Sequence, residues 1–420
     1  MLIALYVTSR AVHQSFILLL AILPASAESV GTEFKDIKLG RPVIGRHSSL
    51  GQPRENESPL PDLETLERLI NSESSEPIIF IELLRDKDDR YAPVYSPDGK
   101  RLAFVRADIE RKSSKIEILD NLATGAVRTV LPKEESYDYM FAWRRGHPSL
   151  TDFCFASTAG PEQTMNLFLA ATSLKTQRLT NTRQLKKHPD LRITVQGSYQ
   201  LLYEMEGRVM LFEFDDLQSP GQPRQLAEGG FPAWSPDGKR YAFVKTAADE
   251  AGTHYSLVLK QISGTERVVV SPQLKPLMSP AWSPDGTWIA FYMAGQTKGR
   301  YDLMTVYTEG GPARQIAREV VVETNFDHSG PAWTRDSKRL FFFALKNQED
   351  IVTFEESYYR LLSKENREGA PLTAFDYDRR YTTAVAPVVN PNARYPEVTF
   401  SATRGLSQGI YVLILNHFGN

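Results

Sequence analysis

Five residues spell a serine nucleophile: Gly405-Leu406-Ser407-Gln408-Gly409 fits Gly-x-Ser-x-Gly, which in hydrolases sets the serine on a strained strand-to-helix turn. That chemistry also needs an acid and a histidine, both following the serine in the usual order. No Asp or Glu lies beyond Ser407, and two strand-like runs flank the motif with no helical pattern after it. The stretch therefore reads as a glycine-flanked hairpin turn. Metal chemistry would need convergent His, Cys or carboxylate ligands. Of the seven histidines, His47, His147, His188, His254, His328 and His417 follow His13, and none is paired at H-x-H or H-x-x-x-H spacing. His188 and the pair Asp327-His328 stand just before strand-like segments, where they could face a central channel. They are the candidate acid–base or metal-ligating residues, against the plainer reading of solvated loop side chains. Asp86-Lys87-Asp88-Asp89 is a weaker candidate, a cation site or a solvated turn. The one cysteine, Cys154, lies in the apolar run Asp152-Phe153-Cys154-Phe155-Ala156 and reads as a buried strand thiol. By sequence these residues assemble no catalytic set, no cofactor site and no metal site.

The elements that would position them repeat. Tyr95-Ser96-Pro97-Asp98-Gly99-Lys100-Arg101-Leu102-Ala103-Phe104 is echoed from Trp234 through Pro236, Asp237 and Gly238 to Phe243. It returns from Trp282 through Pro284, Asp285 and Gly286 to Phe291, and in eroded form from Trp333 through Asp336 to Phe342. Weaker copies run from Trp143 to Phe155, Thr194 to Tyr203 and Val389 to Phe400, so the lead residues recur on average about every 49 positions. Pro-Asp-Gly makes a hairpin turn: Pro fixes φ, Asp bonds back to the backbone and Gly takes positive φ. The recurring Asp is thus a turn residue rather than a catalyst. Two further strand-like runs follow each hairpin, and four strands per unit is the period of a propeller blade.

The expected fold is all-β, a seven-bladed β-propeller over residues 77–416, with six or eight blades as alternatives. The last unit shows only three strands, so the segment 77–84, ahead of the first hairpin, is expected to complete it. Such closure removes exposed sheet edges. Ahead of the repeats, residues 28–76 are a polar leader broken by prolines, with one short helix-like stretch at Leu63–Ile70 behind Asp62. Residues 1–27 have the order of a secretory signal peptide: Arg10, the apolar run from Phe16 to Leu23, then Ala25-Ser26-Ala27. Cleavage is expected between Ala27 and Glu28. The apolar run is too short for a stable membrane anchor.

Composition bounds the rest. Apolar residues at 41% suffice for a large core, and 26 Gly with 26 Pro suit many short strands joined by turns. Lys and Arg number 49 against 51 Asp and Glu, so no overall field recruits nucleic acid or an anionic membrane.

The Ser-Pro-Asp-Gly-Lys repeats, aromatic before and Ala-Phe after, resemble the WD40-like repeats of the periplasmic TolB family. Across residues 77–416 that resemblance implies a β-propeller, a periplasmic location and a non-catalytic protein-interaction role in the cell envelope. It further implies an envelope protein partner, a peptidoglycan-associated lipoprotein in TolB's case. The same repeat type occurs in propellers of prolyl-peptidase-like hydrolases and oligogalacturonate lyases. The alternative function is accordingly a carbohydrate-acting enzyme, or a small-ligand binder, using the channel mouth.

Overall fold

The computed structural model describes residues 79–414, except 85–87, 109–112, 122–125, 132–134, 144, 146–151, 171–175, 216–220, 323–329, 346–358, 366–371, 377–380, 394–396 and 405–406. Every regular element among them is a β-strand, and the strands form seven four-stranded antiparallel sheets. In chain order the sheets begin with Asp89–Tyr95, Asp138–Trp143, Lys186–Ile193, Gly230–Trp234, Leu277–Trp282, Ala332–Trp333 and Tyr381–Val389. Six sheets are built from four consecutive strands. The seventh takes its fourth from the other end of the chain: Ile79–Leu84 lies antiparallel on Ser407–Ile414, with Ile79 opposite Ile414. The all-β propeller architecture expected from the repeats is what the structure shows. The signal peptide, the cleavage site at Ala27 and Glu28, and the leader lie outside the described residues.

The turns show why the motif recurs. Ser235 N–H donates to Arg240 O at 2.8 Å and Gly238 N–H to Ser235 O at 2.9 Å. The Ser235 hydroxyl donates to Asp237 Oδ1 at 2.6 Å, and that oxygen also accepts Lys239 N–H at 3.0 Å. The same net forms around Asp98, Asp285 and Asp336. Each recurring Asp is therefore spent on its own turn. Gly99, Gly238 and Gly286 hold φ of +66°, +67° and +74°, the left-handed region the turn requires.

The core is divided into layers between successive sheets. Phe104 and Leu102 of the first sheet pack on Val412 and Ile410 of the seventh. Phe153 and Phe155 of the second pack on Val105 and Ile118 of the first, and the same pattern repeats around the molecule. Phe343 and Phe400, rings 5.5 Å apart, join the sixth sheet to the seventh.

The lead aromatics tie each sheet to the one before it. The indole N–H of Trp143 donates to Val94 O at 3.2 Å, that of Trp282 to Ala233 O at 3.1 Å, and that of Trp333 to Ala281 O at 3.1 Å. Tyr95 closes the circuit: its hydroxyl donates to Glu397 Oε1 at 2.5 Å and bonds Thr399 of the seventh sheet.

One lead position moves. Leu191 pairs with Leu201 in the register where Trp234 pairs with Tyr241, so Leu191, not Thr194, occupies the lead position of the third sheet. The hairpin there is longer by two residues on each strand and its turn shorter by one, which places Thr194 in the turn.

Candidate functional site: the cavity at the first strands

The first strand of each sheet is an edge strand, and in six of the seven sheets it carries a bulge. Pairing skips between Tyr91 and Val94, Tyr139 and Ala142, Lys187 and Asp190, Gly230 and Ala233, Met278 and Ala281, and Val385 and Val388. Five of these bulges hold a proline, Pro93, Pro189, Pro232, Pro280 and Pro387, and Pro331 stands at the matching position of the sixth sheet. Proline lacks a ladder donor, so an edge or a bulge is where a sheet tolerates it. Ala92, His188, Phe231 and Ser279, each preceding a proline, hold φ of 48°, 49°, 54° and 51°. Such backbone costs on the order of 1–3 kcal/mol per residue and persists only where packing dictates it.

These strands converge on a cavity of about 400 Å³. Most of its wall is apolar: Val94, Phe141, Trp143, Phe231, and the prolines 97, 189, 232 and 280. The residue just after the bulge is Val94, Ala142, Ala233, Ala281, Ala332 or Val388 in six sheets, and Asp190 in the third. The residue before the proline position is Ala92, Met140, Phe231, Ser279, Gly330 or Ala386 in six sheets, and His188 in the third. The third sheet alone places ionisable side chains at these positions.

Asp190 is buried. Its Oδ2 accepts Trp234 N–H at 2.8 Å, and its Oδ1 lies 3.2 Å from Arg145 Nε. Burial pushes its carboxyl up, opposed by Arg145, the Trp234 N–H and Arg192. Arg145 reaches in from the second sheet with its side chain 48% exposed, and Nη1 donates to Trp234 O at 3.4 Å. Its backbone is pinned to the third sheet: Arg145 N–H donates to Leu191 O at 2.9 Å and Ile193 N–H to Arg145 O at 3.1 Å. His188 packs its ring on Phe231, centroids 4.1 Å apart, with Nε2 3.5 Å from Glu204 Oε2. Glu204 Oε2 also accepts Phe231 N–H at 3.2 Å, and burial pushes its carboxyl up.

Of the sequence candidates, His188 lines the cavity, whereas Asp327 and His328 lie outside the described residues; Gly330, close behind them, is part of the wall. His254 is elsewhere, its Nε2 3.0 Å from Asp249 on an exposed hairpin. In the acidic cluster, Asp88 binds Arg106 at 2.9 Å, while Asp89 accepts Tyr91 hydroxyl at 3.0 Å and Gln408 N–H at 2.7 Å. Those two carboxylates are committed to the protein itself. Ser407 pairs with Arg404 across a strand-to-strand connection, not a strand-to-helix elbow. Cys154 is fully buried, as expected, and burial pushes its thiol up. Among the described residues no three His, Cys, Asp or Glu side chains gather as a metal-binding group, and no helix is long and apolar enough to cross a membrane. Sequence reasoning missed Arg145, Asp190 and Glu204. The signal was present in the x-Pro pair ahead of each lead residue, where Ala or Val follows the proline in five units and Asp190 breaks the pattern.

No family model matches the chain, and no curated protein sequence matches it. Solved structures match it as a fold. An oligogalacturonate lyase from Vibrio parahaemolyticus is 12% identical, covers 79% of this chain and 92% of its own, and gives a TM-score of 0.53. A second oligogalacturonate lyase, in complex with manganese, is 12% identical over 78% of this chain and 90% of its own, at a TM-score of 0.52. A puromycin-hydrolyzing peptidase from Mycobacterium tuberculosis is 14% identical over 76% of this chain, at a TM-score of 0.53; the match spans 51% of the peptidase. At such identities the likeness is to the β-propeller fold.

Proposed function

We propose that this protein is an exported, TolB-like seven-bladed propeller, each sheet one blade, that acts in the periplasm as a non-catalytic binding module. Its partner is an envelope protein, with a peptidoglycan-associated lipoprotein as the class the repeat resemblance suggests. The observation that carries this reading is the employment of the ionisable groups around the cavity. Asp190 forms an ion pair with Arg145 and accepts a main-chain N–H of the next sheet, His188 lies against Glu204 and Phe231, and the repeated Asp residues close their own turns. General acid–base work needs a group placed to exchange protons with a substrate, and these are engaged in joining sheets. The test is capture from envelope extract with the chain beginning at Glu28, followed by cross-linking. One recurrent envelope protein bound at micromolar affinity or tighter supports the reading; no specific partner together with a measurable turnover of a carbohydrate sinks it.

The cavity itself supports a second reading, a channel that binds or acts on a small ligand. His188→Ala separates the two: loss of a catalytic activity with the fold intact would favour the enzyme, while unchanged partner capture favours the binding module.

A further inference from the structure

The cavity contains one cationic group that is held in place without being fully used. Asp190 Oδ1 lies 3.2 Å from Arg145 Nε, an ion pair without hydrogen-bond alignment, while Trp234 O takes one Nη1 hydrogen and the Arg145 main chain is pinned to Leu191 and Ile193. Among the described residues Nη2 has no partner, and the half-exposed side chain forms part of the cavity wall. A guanidinium whose orientation is already set loses little entropy on binding, and its planar fork suits a carboxylate. Asp190 does not cancel Arg145 alone, because Arg192 faces the same carboxylate while itself facing Asp237 and Glu213. The open edge suits a single negative charge; a dianion would be opposed by Asp190. Beyond the guanidinium, the wall is Trp143, Phe231 and prolines 189, 232 and 280. Prolines offer no N–H, so a hydroxylated body would give up its water for few hydrogen bonds here. A volume of about 400 Å³ falls within the range of small-molecule sites, about 300–1,000 Å³. The cost of keeping Asp190 buried, where the equivalent residues are Ala or Val, is explained if it serves to aim Arg145.

We infer that the cavity beside Arg145 binds a small monocarboxylate with an apolar, ring-sized body, the acid group on Nη2 and the ring against Trp143 and the prolines. This site does not depend on the identity of the envelope partner. The test is calorimetry and ligand-observed NMR on the full purified chain with benzoate, phenylacetate and cyclohexanecarboxylate, against benzyl alcohol and galacturonate. Saturable one-to-one binding is expected for at least one of the three acids, at least tenfold tighter than for benzyl alcohol or galacturonate. Arg145→Gln should lose tenfold or more with an unchanged melting transition, and Arg145→Lys, which keeps charge but not the fork, should fall between. Should the Gln variant fail to fold, the Lys variant decides: unaltered binding there overturns the site. So does the absence of saturation by all three acids up to about 10 mM, equal binding of benzyl alcohol, or tighter binding of galacturonate, which would return the cavity to the carbohydrate reading. Partner capture, measured on the same Arg145→Gln protein, should be unchanged, so failure of the ligand site and failure of the binding-module reading give different results.

Discussion

The third and fourth sheets are neighbours with the same strand order, and they meet the next sheet in different ways. At the fourth, Ala233 presents its carbonyl to the Trp282 indole in an apolar layer, and the charged contacts to the next sheet, Arg240 and Arg267 on Glu309, stay at the exposed rim. At the third, the residue in the place of Ala233 is Asp190, whose carboxylate takes the main-chain N–H of Trp234. The Trp234 indole N–H is buried without a partner, and Arg192 lies over its ring at 4.2 Å. A neutral hydrogen bond of this kind contributes about 1 kcal/mol, whereas burying a charge costs several kcal/mol before its partners offset it. The fourth sheet shows what joining requires. The third shows a junction that accepts extra cost, which stability alone does not account for.

The largest way to break the comparison is Asp190→Ala. It leaves the Trp234 N–H buried without an acceptor, though Arg145 can turn to water, so a loss of about 2–3 kcal/mol is expected in denaturant unfolding. The matching small residue elsewhere suggests Ala fits sterically, so a loss below about 0.5 kcal/mol would mean the carboxylate is no anchor. Next is a pair of turn glycines. A Cβ on Gly238 would sit 2.0 Å from an Arg192 Nη atom, whereas on Gly286 the nearest atom is 3.8 Å away. Gly286→Ala should cost about 1 kcal/mol from positive φ alone, and Gly238→Ala about 2 kcal/mol by displacing Arg192 as well. Equal losses would show that Arg192 is not held against Trp234.

A finer test swaps the indoles. Trp282→Phe should cost about 1 kcal/mol more than Trp234→Phe, because only the first removes a hydrogen bond. The reverse order in thermal unfolding would contradict the unpaired Trp234 indole N–H. The smallest effect concerns Lys186, whose Nζ donates to Thr182 O at 2.7 Å and Asn166 Oδ1 at 3.0 Å. Burial, with Arg178 nearby, brings its ammonium down to about 8. The unfolded chain then holds this proton more tightly than the folded one, so its contribution to stability should rise as pH climbs from about 8 toward 9.5. Lys186→Met should remove that rise; an identical pH profile in the variant would assign it to another group.

Much of this is legible in the sequence itself. Ser-Pro-Asp-Gly names a turn, because the side chain of Asp237 and the φ of Gly238 satisfy it locally, with no help from the rest of the chain. The missing strand of the last unit is also sought in the segment 77–84, since an unpaired edge has to be covered, and the strand that pairs there is Ile79–Leu84. The site was legible only in part. His188 stood out as a lone histidine, but aligning the third unit by hairpin spacing placed Thr194 at the lead, and its three extra residues hid Asp190 from the comparison with Ala233. Arg145 joins the site through contacts with another sheet, and no pattern within its own repeat encodes them.

The pairing that closes the seventh sheet also has a mechanical meaning. Ile79 and Ile414, the outer residues of their strands, lie opposite one another. A pull applied to the chain on both sides of the ring would therefore load the ladder one rung at a time, as a zipper opens. Strands loaded along their length share the force over all their rungs together. The clasp should part at low tension from the Ile79–Ile414 end, and the six sheets made of consecutive strands should yield only afterwards.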